Sequence, residues 1–167
     1  MCWVTPDRER RAAIAPALFG LYAEAFVPLG ETYVTERLDG AALWAPPGQQ
    51  PVGEDEAEAF GQRLTELAGE DAERLFELEA AFDAHAPSTP HFHLQLVGTL
   101  PERQGQGIGS ALMAGVLARC DRDGIPAYLE ATSEQNRRLY ERHGFVATGF
   151  ITPQGGPTLT AMWRNPA

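Results

Sequence analysis

The chain has 167 residues, 44% of them hydrophobic and 22% charged, which is enough apolar material for one globular core and too little length for two. Thirteen basic against 23 acidic residues leave a formal charge of −10, which argues against nucleic acid and anionic membrane as main partners. Every one of the 13 basic residues is arginine, so mechanisms that need a phosphate-loop lysine or a Schiff-base lysine are excluded.

From Pro6 to about Leu29 the apolar residues Ile14, Leu18, Leu21, Tyr22 and Phe26 recur at helical spacing, with Pro16 as a candidate kink. The uncharged run Ala12–Ala23 is 12 residues long, short of the ~20 that a membrane span needs. No basic flank, apolar stretch and small-residue cleavage site opens the chain. Cys2 and Cys120 fit a reduced protein without disulfides, so the expected location is cytoplasmic. Thr32–Thr35 reads as a strand that turns at Asp39-Gly40 into a second strand, Ala41–Ala45, closed by Pro46-Pro47-Gly48. Residues 54–86 are acidic and helical. Phe60, Leu64 and Leu67 form one stripe, Leu75, Leu78 and Phe82 another, and Gly69 divides two helices. This helical insertion packs on a sheet and is a candidate wall for a substrate pocket. The remaining pattern predicts a strand over 92–99, a helix over 107–122 ended by Gly124, and a strand over 127–131. A helix running to His143, capped by Thr132 with Gln135, and strands over 145–151 and 158–164 complete it. No repeat or linker divides the chain, so residues 1–167 are read as a single α/β (α+β) domain with a mixed, mostly antiparallel sheet flanked by helices.

The chemistry concentrates in QLVGTLPERQGQGIGSAL, residues 95–112, where a strand ends, glycines follow and a helix begins. Unobstructed backbone N–H groups and a helix N-terminus make a site for phosphate oxygens. The phosphate-loop motif fails for want of lysine. The dinucleotide fingerprint fails in spacing, since Gly105, Gly107 and Gly109 are followed by Ser110 where a third glycine or alanine belongs. The pattern Q/R-x-x-G-x-G/A is met by Gln104, Gly107 and Gly109. PAYLEATSEQNRRLYERHGF, residues 126–145, follows with N-x-x-x-Y and a closing H-G-F.

Together these motifs resemble the GNAT superfamily of N-acetyltransferases, and the likeness over residues 91–167 is nearest to the branch that contains puromycin N-acetyltransferase. The resemblance implies the GNAT fold and acetyl-CoA as cosubstrate, without a metal. It implies that Gln104, Gly105, Gln106, Gly107, Ile108, Gly109 and Ser110 bind the CoA pyrophosphate. Val97, Gly98 and Thr99 would present a strand edge to the pantetheine arm, and Asn136 would hydrogen-bond that arm. Tyr140, four residues beyond Asn136 on the same helix face, matches the family's general-acid tyrosine. Members ordinarily begin with a strand and helix ahead of the segment that starts at Met1. The sheet is therefore expected to lack its first strand and helix, which leaves the strand near Tyr33 at an edge open to pairing in a homodimer.

Glu130 lies mid-strand among apolar residues, where a lone carboxylate serves either to take or hold an amine proton or to bond neighbouring backbone or arginine. His91 and His93 alternate onto one strand face and read as structural or pocket-lining, since no further cysteine or carboxylate pair supports a metal. The expectation is an N-acetyltransferase acting on the amine of a small molecule by direct attack in a ternary complex. The alternatives are a non-catalytic acyl-CoA-binding module and a protein or peptide N-acetyltransferase.

Overall fold

Strand alternation splits the sheet residues between two helical layers in the computed structural model of the chain, which describes residues 1–167. Helix α1 (Arg8–Phe26) leads into the hairpin β1 (Thr32–Val34) and β2 (Gly40–Ala45), followed by α2 (Glu54–Ala68) and α3 (Ala72–Asp83). Then come β3 (Phe92–Thr99), α4 (Ile108–Asp123), β4 (Ala127–Ala131), α5 (Glu134–Glu141), β5 (Val146–Ile151) and β6 (Leu159–Arg164). The six strands form one sheet in the order β1-β2-β3-β4-β6-β5, antiparallel except where β3 lies beside β4. The mixed sheet is as expected. β1 is its edge, with no strand outside it.

On one face Trp44, Phe92, Leu94, Leu129 and Met162 pack against Leu112, Met113, Val116 and Leu117 of α4 and against Tyr140 of α5. The other face is covered by α1, α2 and α3. Leu18 and Leu21 meet Leu64, Ala68 and Leu75, while Tyr128, Leu159 and Ala161 meet Leu78 and Phe82. Helix α1 runs unbroken through Pro16. The segment Arg8–Leu29 is long and apolar enough by length and composition to cross a membrane, which the uncharged-run argument had set aside. In the fold its Leu18, Leu21 and Phe26 are buried against α2, α3 and β2.

Two local expectations are corrected. The hairpin does not turn on Asp39-Gly40. Its loop spans 35–39, Leu38 takes the positive φ of 55°, and Gly40 is already the first residue of β2. Glycine is needed at position 40 for a different reason: a Cβ there would come within 2.6 Å of Ile108 Cγ2 at the start of α4. The cap of α5 is Ser133, whose side chain accepts from the Asn136 amide, in place of Thr132. Thr132 instead accepts from Asn136 Nδ2 through its hydroxyl.

A bulge in β3 decides which side chains meet which layer. Leu43 pairs with Leu96 and Trp44 with Leu94, so Gln95 is the extra residue. Before it, Phe92 and Leu94 face α4 and α5. After it the alternation is inverted: Val97 packs on the α4 side, and Leu96 joins Phe26 and Leu43 on the α1 side.

Candidate active site

The site begins where two parallel strands part. β3 and β4 pair only at Phe92 with Ala127 and His93 with Tyr128, although β3 continues to Thr99 and β4 to Ala131. The edge of β3 from Leu94 onward, including Val97, Gly98 and Thr99, therefore offers unpaired backbone groups to a wedge-shaped opening. A Cβ at Gly98 would meet nothing within 4 Å, so this stretch has room for a close neighbour.

At the C-terminal end of β3 the chain turns through Pro101–Arg103 into α4. Gly105 and Gly107 hold φ of 75° and 80°, values that side chains rarely adopt, and a Cβ at either would meet only open space. The first helical bond of α4 runs from the Ala111 amide to the Gly107 carbonyl. The amides of Gly105, Gln106, Gly107, Ile108, Gly109 and Ser110 thus donate to no protein acceptor, and they converge at a helix N-terminus. Gln104 differs from its neighbours, because its amide turns back to the Pro101 carbonyl at 3.4 Å. The loop is braced from the hairpin: buried Asp39 accepts from Arg103 Nε at 3.0 Å, and the Leu100 amide donates to the Asp39 carbonyl at 2.9 Å. Ser110 Oγ bonds His143 Nε2 at 2.9 Å, tying the loop to the end of α5.

On the opposite sheet face lies a cavity of about 640 Å³ between the sheet and the helical layer. Its floor carries His91, His93, Gln95 and Glu130. Its helical wall carries Tyr22, Phe60, Phe76, Glu79 and Phe82. The Glu130 side chain is 7% exposed. Oε2 lies 2.9 Å from His93 Nε2, and Oε1 has no hydrogen-bond partner. Burial, then the Glu130 charge, raises the pKa of the neighbouring Tyr128. Burial lowers that of His91, whose ring stacks edge-on against Tyr128 and Trp163.

Tyr140 belongs to the other layer. It is 5% exposed, packs edge-to-face on Phe145 at 6.1 Å between ring centroids, and its hydroxyl bonds to no protein group. Burial first and the Glu130 charge second push its pKa up to about 12. The two candidate catalytic residues thus lie on opposite faces of the sheet, Tyr140 in the α4 layer and Glu130 in the cavity. Asn136, one turn earlier on α5, is half-buried and holds Thr132.

The reading of His91 and His93 as pocket-lining is met on the cavity floor, while three participants carry partnerships that sequence reasoning did not reach. His93 is Glu130's partner, a pairing that the H-x-H alternation and a mid-strand glutamate together could have signalled. Tyr22 and Glu79, which hydrogen-bond one another across α1 and α3, carry no local signal at all. Among the described residues no cluster of histidine, cysteine, aspartate and glutamate has the shape of a metal site.

Residues 76–147 match the acetyltransferase (GNAT) domain family. The structure of a "histone acetyltransferase HPA2 and related acetyltransferase" from Corynebacterium glutamicum is 30% identical, with TM-score 0.68 over 97% of this chain and 79% of that one. The chain belongs to the GNAT acetyltransferases. The mycothiol acetyltransferase of Brachybacterium faecium is 42% identical over 59 residues, 34% of this chain and 18% of that protein. The chain's matches to its curated relatives cover between 18% and 26% of those proteins' lengths. The fold alone is shared with arylalkylamine N-acetyltransferase 2 of Aedes aegypti, at TM-score 0.66 and 13% identity over 95% of this chain and 87% of that one. This GNAT chain carries its parted strands and glycine loop on a six-stranded sheet.

Proposed function

We propose that this protein is an acetyl-CoA-dependent N-acetyltransferase that acylates the amine of a small molecule. One observation carries the reading: β3 and β4 part between an open amide cradle at the head of α4 and a carboxylate-floored cavity on the far sheet face. The residues fit the cosubstrate. Unengaged amides from Gly105 to Ser110 suit a diphosphate, and the free β3 edge suits an amide-bearing arm. Acetyl-CoA, when bound, supplies the acyl thioester.

The chain's own groups would do the rest by holding the two reactants in line and managing protons. Glu130 Oε1, buried and unpartnered, accepts the proton of the attacking amine. His93 donates from Nε2 to Oε2 and fixes the carboxylate's orientation. Tyr140 holds its proton at Oη and directs it toward the departing sulfur. A phenol of pKa about 12 facing a thiol of reference ~8.5 would transfer that proton uphill by about 5 kcal/mol, so Tyr140 acts as a hydrogen-bond donor and not as a full acid. The cavity is walled by three helices and by the loops 46–53 and 86–90, a shape suited to a compact acceptor more than to an extended peptide.

Likeness to the puromycin N-acetyltransferase branch over residues 91–167 supports a small acceptor. The two free cysteines, Cys2 exposed and Cys120 buried, support a cytoplasmic setting. A homodimer through the β1 edge belongs to the same proposal. With only three residues in β1 that contact would be weak, and a monomer in light scattering at high micromolar concentration would retire it.

The test of function is release of free thiol from acetyl-CoA across a panel of aryl and alkyl amines. Acceptor-dependent release is the expected result. Tight acetyl-CoA binding with no release from any amine would instead make the protein an acyl-CoA-binding module.

A further inference from the structure

Carboxylates line the cavity on two of its sides, the sheet and α3. Glu130 lies on the floor, its side chain more than nine-tenths buried with Oε1 unpartnered. Glu79 lies on the α3 wall with Asp83 a turn further on, and no arginine lines the cavity. Elsewhere the chain pairs its buried acids: Asp71 with Arg10, Asp39 with Arg103. Glu79 has no such partner. It accepts only from the Tyr22 hydroxyl, which aims the carboxylate from α1. Phe60, Phe76 and Phe82 line the same cavity with aromatic surface. A half-buried carboxylate against aromatic rings is costly without a counter-charge, and an ammonium or guanidinium there would gain both an ion pair and ring-face attraction.

The reacting amine cannot be that counter-charge. On the acetyltransferase reading it sits at the strand opening beside Glu130 and Tyr140, and it attacks as the neutral amine. We propose that the acceptor carries a second cationic group, held by Glu79 and positioned by Tyr22, with an apolar spacer lying along the aromatic wall. The preferred substrate class is thus the linear diamine or aminoalkyl-guanidine, a dication that enters with one end anchored and the other presented to Glu130. This inference rests on the acetyltransferase reading for which end reacts, but the anchoring subsite stands on the cavity alone.

The experiment compares 1,5-diaminopentane with n-pentylamine on the wild type, Glu79→Gln and Glu79→Asp, each checked by thermal melting. Both turnover and calorimetric binding in the presence of CoA are measured. Wild type should prefer the diamine in kcat/KM by at least about tenfold, the scale of one charged hydrogen bond. Glu79→Gln should bring that ratio close to one and remove calorimetric diamine binding. Glu79→Asp, which keeps the charge, should keep the preference for the diamine. Equal use of diamine and monoamine by the wild type would overturn the subsite while leaving acetyl transfer intact. So would an unchanged ratio in Glu79→Gln. Glu79-dependent diamine binding without turnover would support the subsite and overturn the acetyltransferase reading.

Discussion

His93, on the last rung at which β3 and β4 are paired, holds its Nε2 2.9 Å from Oε2 of Glu130, two residues beyond that rung on β4. The contact therefore closes the vertex of the strand opening, and the carboxylate's other oxygen is left for a ligand.

Replacing Glu130 by glutamine keeps an acceptor for His93 and removes the basic oxygen. Acetylation should fall by ~10²-fold or more, with thermal stability and acetyl-CoA affinity near wild type. His93→Gln should displace the carboxylate without removing it, so its effect should appear as an altered pH–rate profile as well as a lower rate. A Glu130→Gln enzyme with wild-type turnover would remove Glu130 from the chemistry.

Tyr140→Phe deletes a hydroxyl that bonds to no protein group and keeps a ring that packs on Phe145. Folding should be unaffected, acetyl-CoA should bind as before, and turnover should drop by ~10²-fold. A purely structural tyrosine would give the reverse pattern, a lower melting temperature with activity preserved. Measuring both properties on the one variant separates the two roles.

Gly107 has a φ of 80° at the cap of α4, in the middle of the unengaged amides. Gly107→Asp adds backbone strain and a negative charge where a diphosphate would lie, so calorimetric acetyl-CoA binding should be lost. Gly107→Ala carries the strain alone and should bind more weakly than wild type but better than the aspartate variant. Wild-type affinity in Gly107→Asp would show that the loop is not the cofactor cradle.

Asp121 accepts from Arg164 and from the Ala167 amide, bonds that hold its pKa below the usual carboxylate value. A carboxylate with a depressed folded-state pKa adds stability above its unfolded value of ~3.9, and that stability is lost as pH falls through the folded-state value. Asp121→Asn should therefore melt lower than wild type at pH 7. The gap should narrow as pH falls below about 4 and close once pH passes below the depressed folded-state value, where the wild-type carboxylate is protonated too. A gap independent of pH would mean that the Asp121 charge contributes nothing.

The parts of this fold legible in the sequence were those that local chemistry dictates. β3 and β4 could be placed to the residue because short apolar runs are bounded by Pro, Thr and the glycine loop. The division of α2 from α3 at Gly69 follows from a lone glycine between two apolar stripes. The α5 cap was misassigned between Thr132 and Ser133 because either hydroxyl suits the role, and only backbone geometry chooses. Asp39-Gly40 looked like a turn because that dipeptide often is one, whereas here Asp39 braces Arg103 and Gly40 makes room for Ile108. The pairing of His93 with Glu130 and that of Tyr22 with Glu79 join residues 37 and 57 positions apart, so they exist only once the layers are stacked.

The extra residue at Gln95 has one further consequence. Counting in twos back from Val97 would send His93 into the α4 core, yet it faces the acceptor cavity. One strand thus serves two masters in different phases: its last residues can stay fixed for a common cofactor while its first residues are set independently for the acceptor. Deleting Gln95 would leave Leu94 followed directly by Leu96 and Val97, so plain alternation would keep His93 on the cavity side and Val97 on the α4 side, and only the bulge and one cavity-lining side chain would be lost. A one-residue deletion at Gln95 should therefore be tolerated far better than deletion of Leu94, which would put Gln95 in the place of Leu94 in the apolar layer.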